Sequence, residues 1–281
     1  MSYYVFNFTP DGRAYSIRAG EDFRYGSYET EIPDRLEKTP IVKVEENGFT
    51  DKTEIYTLRL GKHIKEIGDG AFKGCSKLNE LFLPKALGRI GNFAFSNTSL
   101  YSVSIPAKVS VIESYAFYGS TLKELKISHS LRKLGINAFG HCSLLDTVSV
   151  SIFNKHFKSS DNVLYSKNGK LLILYCPGKS GKTFTVPPSV AELAPFSFSY
   201  AGNLESVRIS EGVKSIGDNA FLGCTSLETV FIPASVEMIG KNAFDGCSKL
   251  RVITVDEKNE HFKAVDNVIY SKEGLHKKTV L

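Results

Sequence analysis

Ile67-Gly68-Asp69-Gly70-Ala71-Phe72-Lys73-Gly74-Cys75 returns as Ile216-Gly217-Asp218-Asn219-Ala220-Phe221-Leu222-Gly223-Cys224, and again as Ile239-Gly240-Lys241-Asn242-Ala243-Phe244-Asp245-Gly246-Cys247. Weaker copies carry Phe49, Phe95, Phe117, Phe139 and Phe198. The phrase recurs every 22 or 23 residues outside one long gap. A fixed period of that length marks a solenoid, in which each unit stacks only on its neighbours.

Each unit reads in three parts. The first is Leu-x-x-Leu-x-Leu/Ile, often closed by proline, as in Leu78, Leu81, Leu83, Pro84 and in Leu227, Val230, Ile232, Pro233. Its alternating end predicts a strand with one buried face, stopped where proline removes a ladder donor. The second is a Val/Leu-x-x-Ile/Leu step, such as Val109 and Ile112, read as a short extended segment on another side of the coil. The third is Gly-x-x-Ala-Phe. There Gly68, Gly91, Gly135, Gly217 and Gly240 suit left-handed or close-packed backbone. Ala then lets coils approach, Phe forms a buried column, and the segment is predicted to make a short helical turn.

Cys75, Cys142, Cys224 and Cys247 each fall three residues after the repeat Phe, which predicts a ladder of small buried side chains. A disulfide is open only to stacked neighbours such as Cys224 and Cys247. The odd total of five cysteines argues against a disulfide framework, and no Cys-x-x-Cys suggests zinc.

Two related inserts interrupt the period. Asn154, His156, Phe157, Lys158 and Asp161-Asn162-Val163-Leu164-Tyr165-Ser166-Lys167 return as Asn259, His261, Phe262, Lys263 and Asp266-Asn267-Val268-Ile269-Tyr270-Ser271-Lys272. Asp-Asn predicts a tight turn into a strand, and Asn168-Gly169 a hairpin turn. Residues 1–40 read as a strand-rich capping segment. Residues 41–281 read as the repeat domain, with hairpin inserts near 150–187 and 255–281. The second insert stops part-way at Leu281, which reads as a truncated chain.

Composition bounds function. Hydrophobic residues make up 42 % of the 281, ample for a continuous core. The net charge of +5 is spread thinly, and its densest stretch is His276-Lys277-Lys278, so nucleic-acid binding is not expected. The best apolar run, Leu171 to Cys176, is only strand-length, so membrane insertion is not expected. Met1-Ser2-Tyr3-Tyr4-Val5-Phe6 lacks the parts of a secretory signal. The chain is therefore read as intracellular, or as one whose signal has been removed.

Catalytic and cofactor signals are weak. Cys176-Pro177-Gly178-Lys179-Ser180-Gly181-Lys182-Thr183 approaches a phosphate loop, but cysteine replaces the first glycine and a strand-like stretch follows where a helix is needed. His141 beside Cys142 lacks the geometry of a nucleophile and base, and no third group orients them. Asp161 and Asp266 stand without the acidic neighbours of a calcium site. No catalytic, metal or cofactor residue is assigned.

A binding face follows from strand alternation. If the first strands form one continuous sheet, outward positions include Arg59, Glu80, Phe82, Lys126, Arg208 and Phe231. Phe82 and Phe231 break the polar expectation and are candidate anchors, since exposed aromatics centre many interfaces. The alternative is that they pack on neighbouring strands' side chains or on the insert.

The combined Leu-x-x-Leu-x-Ile-Pro and Ile-Gly-x-x-Ala-Phe-x-Gly-Cys pattern, with the Asp161–Lys167 insert, resembles the BspA-like leucine-rich repeat family from about residue 40 to 281. The resemblance implies a β-rich α/β fold: a right-handed solenoid or horseshoe of short strands and short helical turns. It implies a bacterial surface or secreted setting, with adhesion to host or neighbouring-cell proteins; an extended, rigid sheet face separately suits contact with protein, extracellular matrix included, or with glycan. No shared catalytic residues come with it. The expected function is a non-enzymatic interaction scaffold; the alternative is an intracellular structural or interaction module.

Overall fold

The apolar positions Leu58, Leu125, Val148, Val207, Val230 and Ile253 are buried, while their strand neighbours Arg59, Lys126, Ser149, Arg208 and Thr254 are exposed. Strand alternation thus sets the inside and outside of every coil. The computed structural model describes residues 3–23 and 28–272. The result is a β-rich solenoid of stacked coils. It divides into two units, Met1–Cys142 with Val150–Lys155, and Ser143–Ser149 with His156–Leu281.

In the first unit, Glu29–Ile32, Thr57–Leu60 and Glu80–Phe82 pair in parallel register, as do Ser102–Ser104 and Glu124–Ile127. The sheet is interrupted between Glu80–Phe82 and Ser102–Ser104, so the expected continuous face is in pieces. In the second unit, Thr183–Thr185, Ser206–Arg208, Thr229–Ile232 and Val252–Val255 form one parallel sheet. The Val/Leu-x-x-Ile step makes a second set of ladders, as expected. Glu66–Ile67, Arg89–Ile90, Val111–Ile112 and Lys133–Leu134 run in parallel. In the other unit Leu171–Tyr175, Glu192–Leu193, Ser215–Ile216 and Met238–Ile239 do the same.

The third side corrects the sequence reading. No α-helix occurs among the described residues. Two left-handed residues bracket each Ala-Phe-x, as Gly70 (φ 63°) and Gly74 (φ 72°) bracket Ala71-Phe72-Lys73. A positive φ at both ends stops an α-helical ladder from propagating. Gly68 is not left-handed; a Cβ there would lie 2.7 Å from Glu46 N and 2.8 Å from Val44 O, so its role is close coil approach. Alternate amides of the turn bond to the next coil, always in one sense, and those between them bond within the turn. Gly70, Phe72 and Gly74 donate to the carbonyls of Asn92, Ala94 and Ser96 at 2.7, 2.8 and 2.8 Å.

Inside this turn lies the phenylalanine column. Phe49, Phe72, Phe95, Phe117 and Phe139 stack at centroid spacings of 5.1, 5.4, 5.3 and 5.3 Å. Phe23, 5.3 Å away, and Tyr4, 6.2 Å away, pack on Phe49. In the second unit Tyr175, Phe198, Phe221 and Phe244 stack at 5.1, 4.7 and 5.1 Å. Tyr175 is an unforeseen member. It stands in the insert, and its N–H donates to Ser197 O at 2.7 Å as the column phenylalanines donate to their alanines.

All five cysteines are buried and none forms a disulfide. Cys75, Cys142, Cys224 and Cys247 donate to the carbonyls of Phe49, Phe117, Phe198 and Phe221 at 3.0–3.2 Å. Ser120 takes the same role toward Phe95 O at 3.1 Å. The ladder is therefore a row of small hydrogen-bond donors as well as a small-residue packing column.

Each insert carries a hairpin where it is described. Phe157–Ser160 and Val163–Ser166 form a hairpin about left-handed Asp161 and Asn162, and Leu171–Tyr175 adds a third strand. Phe262–Val265 and Val268–Ser271 repeat the hairpin about Asp266 and Asn267. The proposed truncation at Leu281 and the basic run at His276 lie outside the described residues. A buried asparagine fixes the loop leading into each hairpin. Asn259 Nδ2 donates to Pro233 O and Val236 O at 2.8 and 3.0 Å, and Asn154 Nδ2 donates to Ser128 O and Leu131 O at 2.7 and 3.0 Å.

Candidate interaction surface

Parallel register places Arg59 directly beside Phe82 on the next strand, and Arg208 directly beside Phe231. Each guanidinium lies over the neighbouring ring, 3.7 Å from the Phe82 centroid and 4.4 Å from that of Phe231. Such a contact contributes about 0.5–1 kcal/mol at an exposed site and holds both side chains in place. Phe82 remains 44 % exposed, whereas Phe231 is half-buried. The two phenylalanines are therefore arginine-covered rings. The signal was in the sequence: each pair is separated by one 23-residue period.

Of the other expected positions, Glu80 falls beside the first pair and Lys126 does not. Arg59 Nε also bonds Glu29 Oε1 at 2.7 Å, and Thr57 donates to Glu80 Oε2 at 3.3 Å. An open cleft of about 400 Å³ adjoins Phe82 and Arg59, lined also by Glu31, Lys62, Pro84 and Lys85. Lys126 pairs with Glu124 on its own strand at 3.0 Å, beyond the break in the sheet, so it does not join this cluster.

The catalytic alternatives dissolve into structural contacts. Burial pushes the thiols of Cys75 and Cys142 up to about 12, far from a thiolate at neutral pH. His141 lies 5.6 Å from the Tyr118 ring, while Cys142 points its hydrogen at Phe117 O. In the loop that approaches a phosphate-binding motif, Lys179 and Lys182 pair with Asp161 and Glu205 at 2.6 and 2.8 Å. A strand, Thr183–Thr185, follows it. Among the described residues no group of three or more His, Cys, Asp or Glu is placed to hold a metal ion, and no helix is long and apolar enough to cross a membrane.

One surface feature escaped the sequence reading. Ile152 and Phe153 are 82 % and 76 % exposed on the turn held by Asn154. The matching residues of the second insert are Glu257 and Lys258. Converting the first turn to the second, Ile152→Glu with Phe153→Lys, is expected to shift stability by no more than about 0.5 kcal/mol. It should also reduce self-association in concentrated solution, and light scattering beside urea titration checks both.

Comparison with known proteins places this geometry. The family model described as BspA type leucine rich repeat region matches in 6 copies over residues 42–168 and 176–272. A search of curated proteins finds none that matches the chain. Among solved structures, a leucine-rich repeat protein from Eubacterium ventriosum ATCC 27560 superposes with TM-score 0.73 at 26 % identity, over 91 % of this chain and 70 % of that one. The pneumococcal vaccine antigen PcpA gives 0.69 at 22 %, over 92 % and 82 %. A leucine rich cell surface protein from Faecalibacterium prausnitzii A2-165 gives 0.54 at 23 %, over 91 % and 94 %. The last two likenesses concern the fold alone.

Proposed function

The chain belongs to the BspA-type leucine-rich repeat family, and from that premise we propose that it is a non-catalytic scaffold, adhesin-like and displayed at the cell surface, that binds proteins of host or neighbouring cells through its lateral strand faces. The observation that carries this reading is the Arg-over-Phe pair repeated on those faces, at Arg59–Phe82 and Arg208–Phe231. Arginine and aromatic side chains held rigid on a strand lose little freedom on binding, and they dominate interface energetics. Glu80 supplies a charged rim position beside the first pair, and Lys126 a separate charged position on the neighbouring sheet. Residues 1–40 act as the cap of the first coils, with Phe23 and Tyr4 against Phe49. The surface setting draws support from two structural relatives, a cell surface protein and a vaccine antigen.

The test is a binding screen against purified extracellular-matrix proteins and surface proteins of neighbouring bacteria. It compares wild type with the Phe82→Ser/Phe231→Ser double variant. Loss of at least about tenfold in affinity, or about 1.4 kcal/mol, is expected for a partner found this way. Equal affinity of the two proteins for every partner found rules out the anchors. An intracellular interaction module is the competing reading, favoured by five buried cysteines that form no disulfide. Antibody labelling of intact against permeabilised source cells separates the two settings.

A further inference from the structure

The turn side of the first unit carries rings that the fold does not require. The left-handed position before the column Phe is held by residues that tolerate it at Gly70, Asn137, Asn219 and Asn242, while in the second unit Phe196 (φ 61°) occupies it as a single ring. In two successive coils it is instead Phe93 (φ 54°) and Tyr115 (φ 59°). Bulky side chains are genuine outliers in this region, where glycine and asparagine are at home. The matching left-handed position after the Phe carries His141, at φ 56°, where Gly74 and Gly119 stand in earlier coils.

These side chains join into one ladder across consecutive coils. The Lys73 ammonium lies 5.6 Å from the Phe93 centroid. Phe93 and Tyr115 stack at 4.8 Å with their planes 2° apart. Tyr115 meets Tyr118 edge-on at 5.7 Å, and Tyr118 meets His141 at 5.6 Å. Phe93 and His141 are exposed, and Tyr115 and Tyr118 half-buried. Beneath them a side-chain row fixes the turns. Asp69 Oδ1 accepts from Asn92 N at 2.9 Å, Asn92 Oδ1 from Ser114 N at 3.2 Å, and Ser114 Oγ from Ile136 N at 3.2 Å.

Phe93 and Tyr115 cover each other's faces and leave electropositive C–H edges outward. Tyrosine hydroxyls, an imidazole and an ammonium are set among those edges. This combination suits a ligand dense in oxygen acceptors that also carries apolar C–H groups. Phe93 to Tyr115 and Tyr118 to His141 each advance by one coil, at 4.8 and 5.6 Å between centroids, close to the advance per ring of an extended pyranose chain, while Tyr115 and Tyr118 widen the rung of the coil they share. Lys73 and His141, both basic, stand at the two ends, which favours acidic sugars.

We propose that the Phe93–Tyr115–Tyr118–His141 ladder binds an extended oligosaccharide running along the direction of coil stacking, at a site separate from the lateral strand faces. The fold favours asparagine at the left-handed positions, so the obvious variant keeps its structure. Calorimetric titration with hexagalacturonate and with cellohexaose should show binding, tighter for the acidic sugar. Phe93→Asn/Tyr115→Asn should weaken it at least tenfold with an unfolding temperature equal to or above that of wild type. Phe196→Asn, at the equivalent left-handed position in the second unit, and Phe82→Ser should both leave it unchanged. The proposal is overturned if wild type binds neither sugar at millimolar concentration, if the double variant binds equally well, or if a proline-rich peptide is preferred to both sugars.

Discussion

Asn259→Leu is expected to destabilise the second unit by about 3–5 kcal/mol, although the side chain keeps its heavy-atom count and branching. Asn259 is fully buried and makes four hydrogen bonds. Its Nδ2 serves Pro233 O and Val236 O, and its Oδ1 accepts from His261 N and Phe262 N at 2.9 and 2.7 Å. Leucine fills the space and leaves four backbone groups without that partner. Each buried orphan costs about 1–3 kcal/mol, reduced where the loop can relax toward water. The loss should appear in urea unfolding, and in faster amide exchange at His261 and Phe262 than in distant coils. A change below about 1 kcal/mol, with exchange at those amides unaltered, contradicts the account.

Phe221→Ala is expected to cost about 3–5 kcal/mol by removing an interior rung of the ring column. Phe221 is fully buried between Phe198 at 4.7 Å and Phe244 at 5.1 Å. Its backbone is fixed by a 2.7 Å bond to Ala243 O, so the rings on either side cannot close the gap without breaking coil-to-coil bonds. In a stack coupled only to nearest neighbours, the damage should reach adjacent coils and fade beyond them. Amide exchange read coil by coil checks this, and uniform destabilisation across both units would falsify the nearest-neighbour picture.

The frame was legible because its determinants are periodic. Phe72, Phe221 and Phe244, the buried cysteines and the strand alternation each recur at one interval, so aligning copies reveals them. Tyr175 was not legible, because it reaches the ring column from an insert without Gly-x-x-Ala. The helical turn was misread because Ala-Phe has no local feature that excludes a helix. The exclusion comes from the left-handed residues on either side, and at Phe93 and Tyr115 the residue type gives no warning of that conformation. The candidate surface was half legible: alternation pointed to Arg59, Phe82, Arg208 and Phe231, but their pairing depends on register across strands.

The one-way hydrogen bonds of the turn have an electrostatic consequence. Phe93, Phe95 and Asn97 donate to Ser114, Ala116 and Tyr118, and in the second unit Asn219, Phe221 and Gly223 donate to Lys241, Ala243 and Asp245. That is three aligned peptide dipoles per coil, with rings about 5 Å apart. An α-helix aligns about 3.6 per pitch of roughly 5.4 Å. Each unit thus carries along one flank a macrodipole of nearly helical density without winding a helix. Its positive end lies toward the later coils, where acidic groups are the better neighbours.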